Sequence, residues 1–124
     1  LGDAFEYVGI ASGEFKYKLF RECDIFLLPS LFGEGLPITL LESMSFSLVP
    51  LVTNDGSMSF IVRNMENGII VDKESSTSIA NAIIYLVNDK ALLQRLGSKA
   101  RESIFENFSP LDYINKINNI YSKC

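Results

Sequence analysis

Histidine and tryptophan are both absent from the 124 residues. Without imidazole there is no Ser-His-Asp or Cys-His arrangement, no His-based metal site, and no use of the commonest general base. Cysteine occurs only at Cys23 and Cys124. Cys23 falls at the end of a segment that reads as a buried helix, where it would fill core, and Cys124 is the last residue. A disulfide framework is therefore not expected, and a reducing cytoplasm is the simpler setting. Basic charge is in the minority, with 11 Lys and Arg against 15 Asp and Glu for a net charge of -4. Such a balance leaves no electrostatic footprint for nucleic acid or for an anionic membrane. No apolar run approaches the roughly 18 residues of a membrane span. The chain starts at Leu1 with neither an initiator Met nor a signal-peptide pattern, and is expected to be a piece of a longer protein.

What is present is ordinary globular composition, 48% hydrophobic and 21% charged, which suits one core and excludes disorder. Short β-type runs alternate with longer helical ones. Strands are expected at 5–8, 24–28, 48–53 and 68–71, with Pro50 as a local objection to the third. The apolar run Asp24-Ile25-Phe26-Leu27-Leu28 suits a parallel strand covered on both faces. Helices are expected at 13–22 with Phe15 and Leu19 inward, from Pro37 to near Ser47, and at 57–64. Further helices are read at 76–88 with Ile79, Ala80, Ile83, Ile84 and Val87 on one face, and from Lys90 to Phe105. A last amphipathic stretch carries Leu111, Ile114, Ile117 and Tyr121. This alternation predicts an α/β fold, a Rossmann-like parallel sheet with flanking helices.

In such folds ligands bind at the C-terminal ends of the strands. The segment Pro29-Ser30-Leu31-Phe32-Gly33-Glu34-Gly35-Leu36-Pro37 lies at such an end and feeds a helix N-terminus, whose free amides and dipole favour a phosphate. Neither a P-loop nor a dinucleotide fingerprint is present. Glu42 stands about 7.5 Å along the helix from Pro37, and helical side chains lean towards the N-terminus, so its carboxylate can reach back to the loop and meet Glu34. Carboxylates repel phosphate but suit pairs of sugar hydroxyls. A nucleotide sugar meets both demands.

The ordered set Asp24-Ile25-Phe26-Leu27-Leu28-Pro29-Ser30, Glu34-Gly35-Leu36-Pro37 and Leu40-Leu41-Glu42-Ser43-Met44-Ser45 resembles the donor-binding half of retaining GT-B glycosyltransferases of the GT4 family. Its E-x7-E motif falls on Glu34 and Glu42. The resemblance continues through Asp55-Gly56-Ser57, Asn67-Gly68-Ile69-Ile70-Val71, Lys99-Ala100-Arg101 and Phe108-Ser109-Pro110. It implies that Glu42 holds the ribose hydroxyls and that Glu34, the candidate catalytic residue, lies beside the transferred sugar. Gly35, Leu36 and Pro37 would then line the sugar, Thr39, Leu40 and Leu41 would present the helix start, and Ser30 would border the nucleotide. Two positions depart from the pattern: Phe46-Ser47 replaces the usual small-Gly pair, and Phe60 replaces a glutamate.

By this resemblance the chain is the later part of a GT-B C-terminal domain. Residues 1–108 form the donor-binding portion and 109–124 a helix returning towards a missing N-terminal domain. The expected function is transfer of a hexose, with retention, from a nucleoside-diphosphate sugar to a glycan or glycolipid acceptor in polysaccharide biosynthesis. No cofactor or catalytic metal is implied. The acceptor would bind through the missing domain, the full-length enzyme would be cytoplasmic with room for peripheral association at the inner membrane face, and this piece alone would be inactive. The unpartnered stripe on 109–124 would favour a dimer of the piece. A non-catalytic Rossmann-like module for a nucleotide or a protein is the alternative, and a GT-B isomerase fits the glutamates less well. Taken singly, the glycines suit turns, Phe32 and Phe60 suit packing, and the charges at Lys16, Lys18, Arg21 and Glu22 suit a solvated face.

Overall fold

The computed structural model describes residues 7, 9, 12–28, 38–53 and 58–107. Their elements run α1 (Gly13–Glu22), β1 (Ile25–Leu28), α2 (Ile38–Ser45), β2 (Val49–Thr53), α3 (Met58–Ile61), β3 (Ile69–Val71), α4 (Ser76–Asn88) and α5 (Lys90–Asn107). The three strands form a parallel sheet in the order β1-β2-β3, with Ile25 opposite Val49 and Leu51 opposite Ile69. The expected strand at 5–8 and helix at 109–124 lie outside the described residues.

Alternation along the strands gives the sheet two apolar faces. Phe26, Leu28, Val52 and Ile70 pack on one face with Leu40, Leu41 and Met44 of α2, with α3, and with Ala100 and Ile104 of α5. Val49, Leu51, Ile69 and Val71 pack on the other with Leu86 of α4 and Leu92 and Leu96 of α5. Helix α5 thus serves both faces. It passes the start of β2, where a Cβ on Gly97 would collide with the Ser47 carbonyl oxygen, so a glycine is needed for the approach.

Pro50 sits in the central strand, and the neighbouring register explains why it is tolerated. The Val49 N–H donates to Asp24 O on the β1 side at 2.8 Å, so the next residue's nitrogen faces β3. On that side pairing begins only at Leu51 with Ile69. The missing proline donor therefore falls before the ladder, beside Gly68, whose absent side chain leaves room for the Pro50 ring.

Helix α2 closes in a Schellman turn: Ser47 N–H donates to Met44 O at 3.0 Å and Leu48 N–H to Ser43 O at 3.2 Å. Ser47 takes the left-handed position, with φ 66°, where glycine is usual. The Arg101 guanidinium adds a bond to Ser45 O at 2.7 Å and stacks over Phe105. Helix α4 is capped by Ser75, which accepts from Ser78 N–H, and α5 by Asp89, which accepts from Leu92 N–H.

Several expectations about faces are corrected. In α1 the buried residue is Phe20, while Phe15 is 45% exposed. In α4 the buried residue is Leu86, while Ile84 and Val87 are exposed, because the apolar residues cover more of that helix than the sheet can take and Leu86 occupies the core. Strand β1 is only half-buried: Ile25 packs against the cluster under α4 and α5, while Leu27, two residues further on the same face, is exposed. Cys23 is exposed at the C-cap of α1 rather than buried. Among the described residues no helix is long and apolar enough to cross a membrane.

Candidate functional site

Strand β1 ends at Leu28 and α2 begins at Ile38, so the start of α2 lies at the C-terminal edge of the parallel sheet. The first four amides of a helix have no intrahelical acceptor. The described part of α2 starts at Ile38. Thr39 is exposed there. Leu40 and Leu41 are not: their side chains lie in the core beside Met44 and Val52, so they can offer a ligand only their backbone. Ser30, Glu34, Gly35, Leu36 and Pro37 lie outside the described residues, and the expected meeting of Glu34 with Glu42 falls with them.

Glu42 stands one turn inside α2, and its side chain is 11% exposed. It does not face open water. Lys16, from the first turns of α1, places its Nζ 3.0 Å from Oε2 and 3.2 Å from Oε1, so one ammonium engages both oxygens of the carboxylate. The lysine is itself only 18% exposed at the side chain. The Tyr17 phenol is close enough to Glu42 to feel its charge, and its ring stacks on Phe46 with centroids 5.6 Å apart. Burial pushes the Tyr17 phenol above its ordinary range, the Glu42 charge pushes it further, and Lys16 opposes them.

The expectation that Lys16 belongs to a solvated face is thus overturned. Its cause is the phase of α1. With Phe20 inward, packed edge-on against Phe26 and tilted against Phe46, the residues three and four positions earlier turn inward as well. Those residues are Tyr17 and Lys16. An inward Phe20 read from the sequence would have signalled both.

A carboxylate with two oxygens carries about four acceptor directions, so Lys16 leaves capacity for further donors. The site as described therefore places an oriented, charge-compensated carboxylate about one turn along α2 from Ile38. Phe60, on α3 beyond the end of β2, is 86% exposed and is not the packing residue expected.

Residues 1–103 match the family described as glycosyl transferases group 1. The chain belongs to this family. Over 104 residues it is 29% identical to the UDP-Gal:alpha-D-GlcNAc-diphosphoundecaprenol alpha-1,3-galactosyltransferase of Escherichia coli, a match covering 84% of this chain and 26% of that protein. It is 34% identical over 92 residues to the poly(ribitol-phosphate) alpha-N-acetylglucosaminyltransferase of Staphylococcus aureus, covering 72% of this chain and 18% of that protein. The chain therefore spans about a quarter or less of the length of these relatives. Its fold superimposes on Anabaena HepE, solved in complex with UDP-glucose, with a TM-score of 0.83 at 18% identity, covering 100% of this chain and 34% of that one. The fold is an α/β parallel sheet with flanking helices, as in these glycosyltransferase structures. Family membership accounts for the parallel sheet with its flanking helices.

Proposed function

We propose that this chain is the donor-binding portion of a retaining, GT4-type glycosyltransferase whose E-x7-E motif is formed by Glu34 and Glu42. The observation that carries the reading is the Glu42 carboxylate, held one turn inside α2 at the C-terminal edge of the sheet. A nucleoside-diphosphate sugar placed there would set its diphosphate against the free amides of α2 and its ribose hydroxyls on Glu42. Cleavage of the donor leaves a nucleoside diphosphate, and the charge that develops on it is met by those preoriented amides. Glu34 would face the transferred sugar, with Gly35, Leu36, Pro37 and Ser30 lining the donor and Thr39, Leu40 and Leu41 contributing amides. No metal or cofactor takes part in this reading.

The relatives named above act on undecaprenol-linked and poly(ribitol-phosphate) acceptors. A glycan or glycolipid acceptor and a role in polysaccharide assembly are proposed for this protein on that basis. The acceptor would bind through a separate domain, so residues 1–108 alone would bind donor without transferring sugar, and the segment 109–124 would return towards that domain.

The test is a pair of variants in the full-length protein, with UDP-, GDP- and ADP-sugars screened first. Glu42→Ala should weaken binding of the nucleoside diphosphate, because each hydrogen bond to a charged group contributes about 1.5–3 kcal/mol. Glu34→Ala should leave diphosphate affinity near wild type while turnover falls. Equal losses of diphosphate affinity in both would contradict the division of roles. Binding without transfer to any acceptor would favour a non-catalytic nucleotide module.

A further inference from the structure

An ionised carboxylate near a diphosphate is an electrostatic problem, since Glu42 would repel the charge that the α2 amides attract. The described structure contains its own answer. Lys16 reaches Glu42 from a different helix, touches both carboxylate oxygens at 3.0 and 3.2 Å, and does so where both side chains are largely withdrawn from water. Its ammonium lies over the Tyr17 ring, with Nζ 5.3 Å from the centroid. The Tyr17 phenol feels the charge of the same carboxylate.

Building on the donor-site reading above, we infer that Lys16 is a positioning residue for the donor: it fixes the Glu42 carboxylate for the ribose hydroxyls and cancels its charge beside the diphosphate.

Three features support this role over a merely structural one. The contact joins α1 to α2 across 26 residues of sequence, so it sets where the carboxylate stands relative to the helix start rather than stabilising one helix internally. A near-symmetric hold on both oxygens orients the carboxylate plane, and the acceptor directions left over then point along a defined line. The pair is also sheltered enough for Coulombic effects to exceed those of a surface ion pair. A glutamate without the lysine would have free rotamers and full charge, and both changes disfavour a diphosphate-bearing ligand.

The test is a double-mutant cycle in the full-length protein, measured by calorimetry with UDP, GDP and ADP and with the matching uncharged nucleoside. Lys16→Met keeps the apolar stem and removes the charge. It should weaken binding of the recognised diphosphate about tenfold, as for loss of a charged hydrogen bond, and weaken the nucleoside less. In a Glu42→Gln background the same change should have less than about a twofold effect, because no charge remains to be positioned or cancelled. Lys16→Arg retains the cation and should bind within about threefold of wild type. It remains informative if Lys16→Met fails to fold, and a large loss of affinity in a folded Lys16→Arg protein would overturn the role. Equal losses from Lys16→Met in both Glu42 backgrounds would overturn it too, since they would mean that the lysine acts independently of the glutamate. Unchanged diphosphate affinity in Lys16→Met, with the expected loss in Glu42→Gln, would remove the role of Lys16 and leave the donor site standing. If wild-type protein binds none of the three diphosphates, both readings fail together.

Discussion

Replacing Asn67 by alanine tests how the sheet is tied to its last helix. Asn67 is a polar side chain with only 4% exposure. Its Oδ1 accepts from the Arg63 N–H at 2.7 Å, and its Nδ2 donates to Ile61 O and to Ser103 Oγ, both at 3.0 Å. The amide thus joins the end of α3, the turn leading into β3, and α5. The three partners do not suffer equally when it is removed. Arg63 is exposed, so water can replace the lost acceptor, and Ser103 already donates to Lys99 O at 2.7 Å. Ile61 is buried, and its carbonyl would be left without the amide, at a cost of about 1–3 kcal/mol. Adding the smaller losses at the other two partners gives about 2–4 kcal/mol for Asn67→Ala. Urea denaturation of the chain, followed by circular dichroism, should show a lower midpoint with an unchanged slope. Asn67→Asp keeps the acceptor but loses both donated bonds, so it should recover little of the stability. A loss below about 0.5 kcal/mol for Asn67→Ala, the range of an ordinary surface change, would refute this account of the turn.

Ser47→Gly should stabilise the chain by about 0.5–1 kcal/mol, because Ser47 holds φ 66° in the turn after α2, a conformation that favours glycine; an unchanged or lower midpoint would contradict it. Tyr17→Phe should flatten the alkaline limb of stability. The phenol's folded value is raised by burial and by Glu42, so its contribution is complete below the unfolded value of about 10 and is lost as pH rises through the folded one. Urea midpoints between about pH 8 and 11 should therefore fall more steeply in wild type than in the variant. Parallel slopes would show that Tyr17 is not coupled to the cluster.

The three described strands and the long helices were legible because their cues are local. Apolar runs of three to five residues bounded by Pro29-Ser30 or Asn67-Gly68 fix strands within a residue or so, as at Ile25–Leu28 and Ile69–Val71. The phases of α1 and α4 were not legible. Phe15, Leu19 and Phe20 spread around α1, and only the tertiary contacts of Phe20 with Phe26 and Phe46 decide which turns inward. That same decision carried Lys16 to Glu42, so the site's principal electrostatic contact could not be read from spacing. Pro50 shows the opposite case: a residue that argues against a central strand by itself is accommodated because β3 starts one position later. Glu42 was legible as a candidate because its place in the motif and its distance from the helix start agree.

The most direct test of the central claim is a structure of the full-length protein with its nucleotide-sugar donor bound. Ribose hydroxyls should lie about 2.5–2.8 Å from the Glu42 carboxylate, with the diphosphate against the first amides of α2 and Lys16 still on Glu42. A donor bound elsewhere, or a ribose with no contact to Glu42, would contradict it.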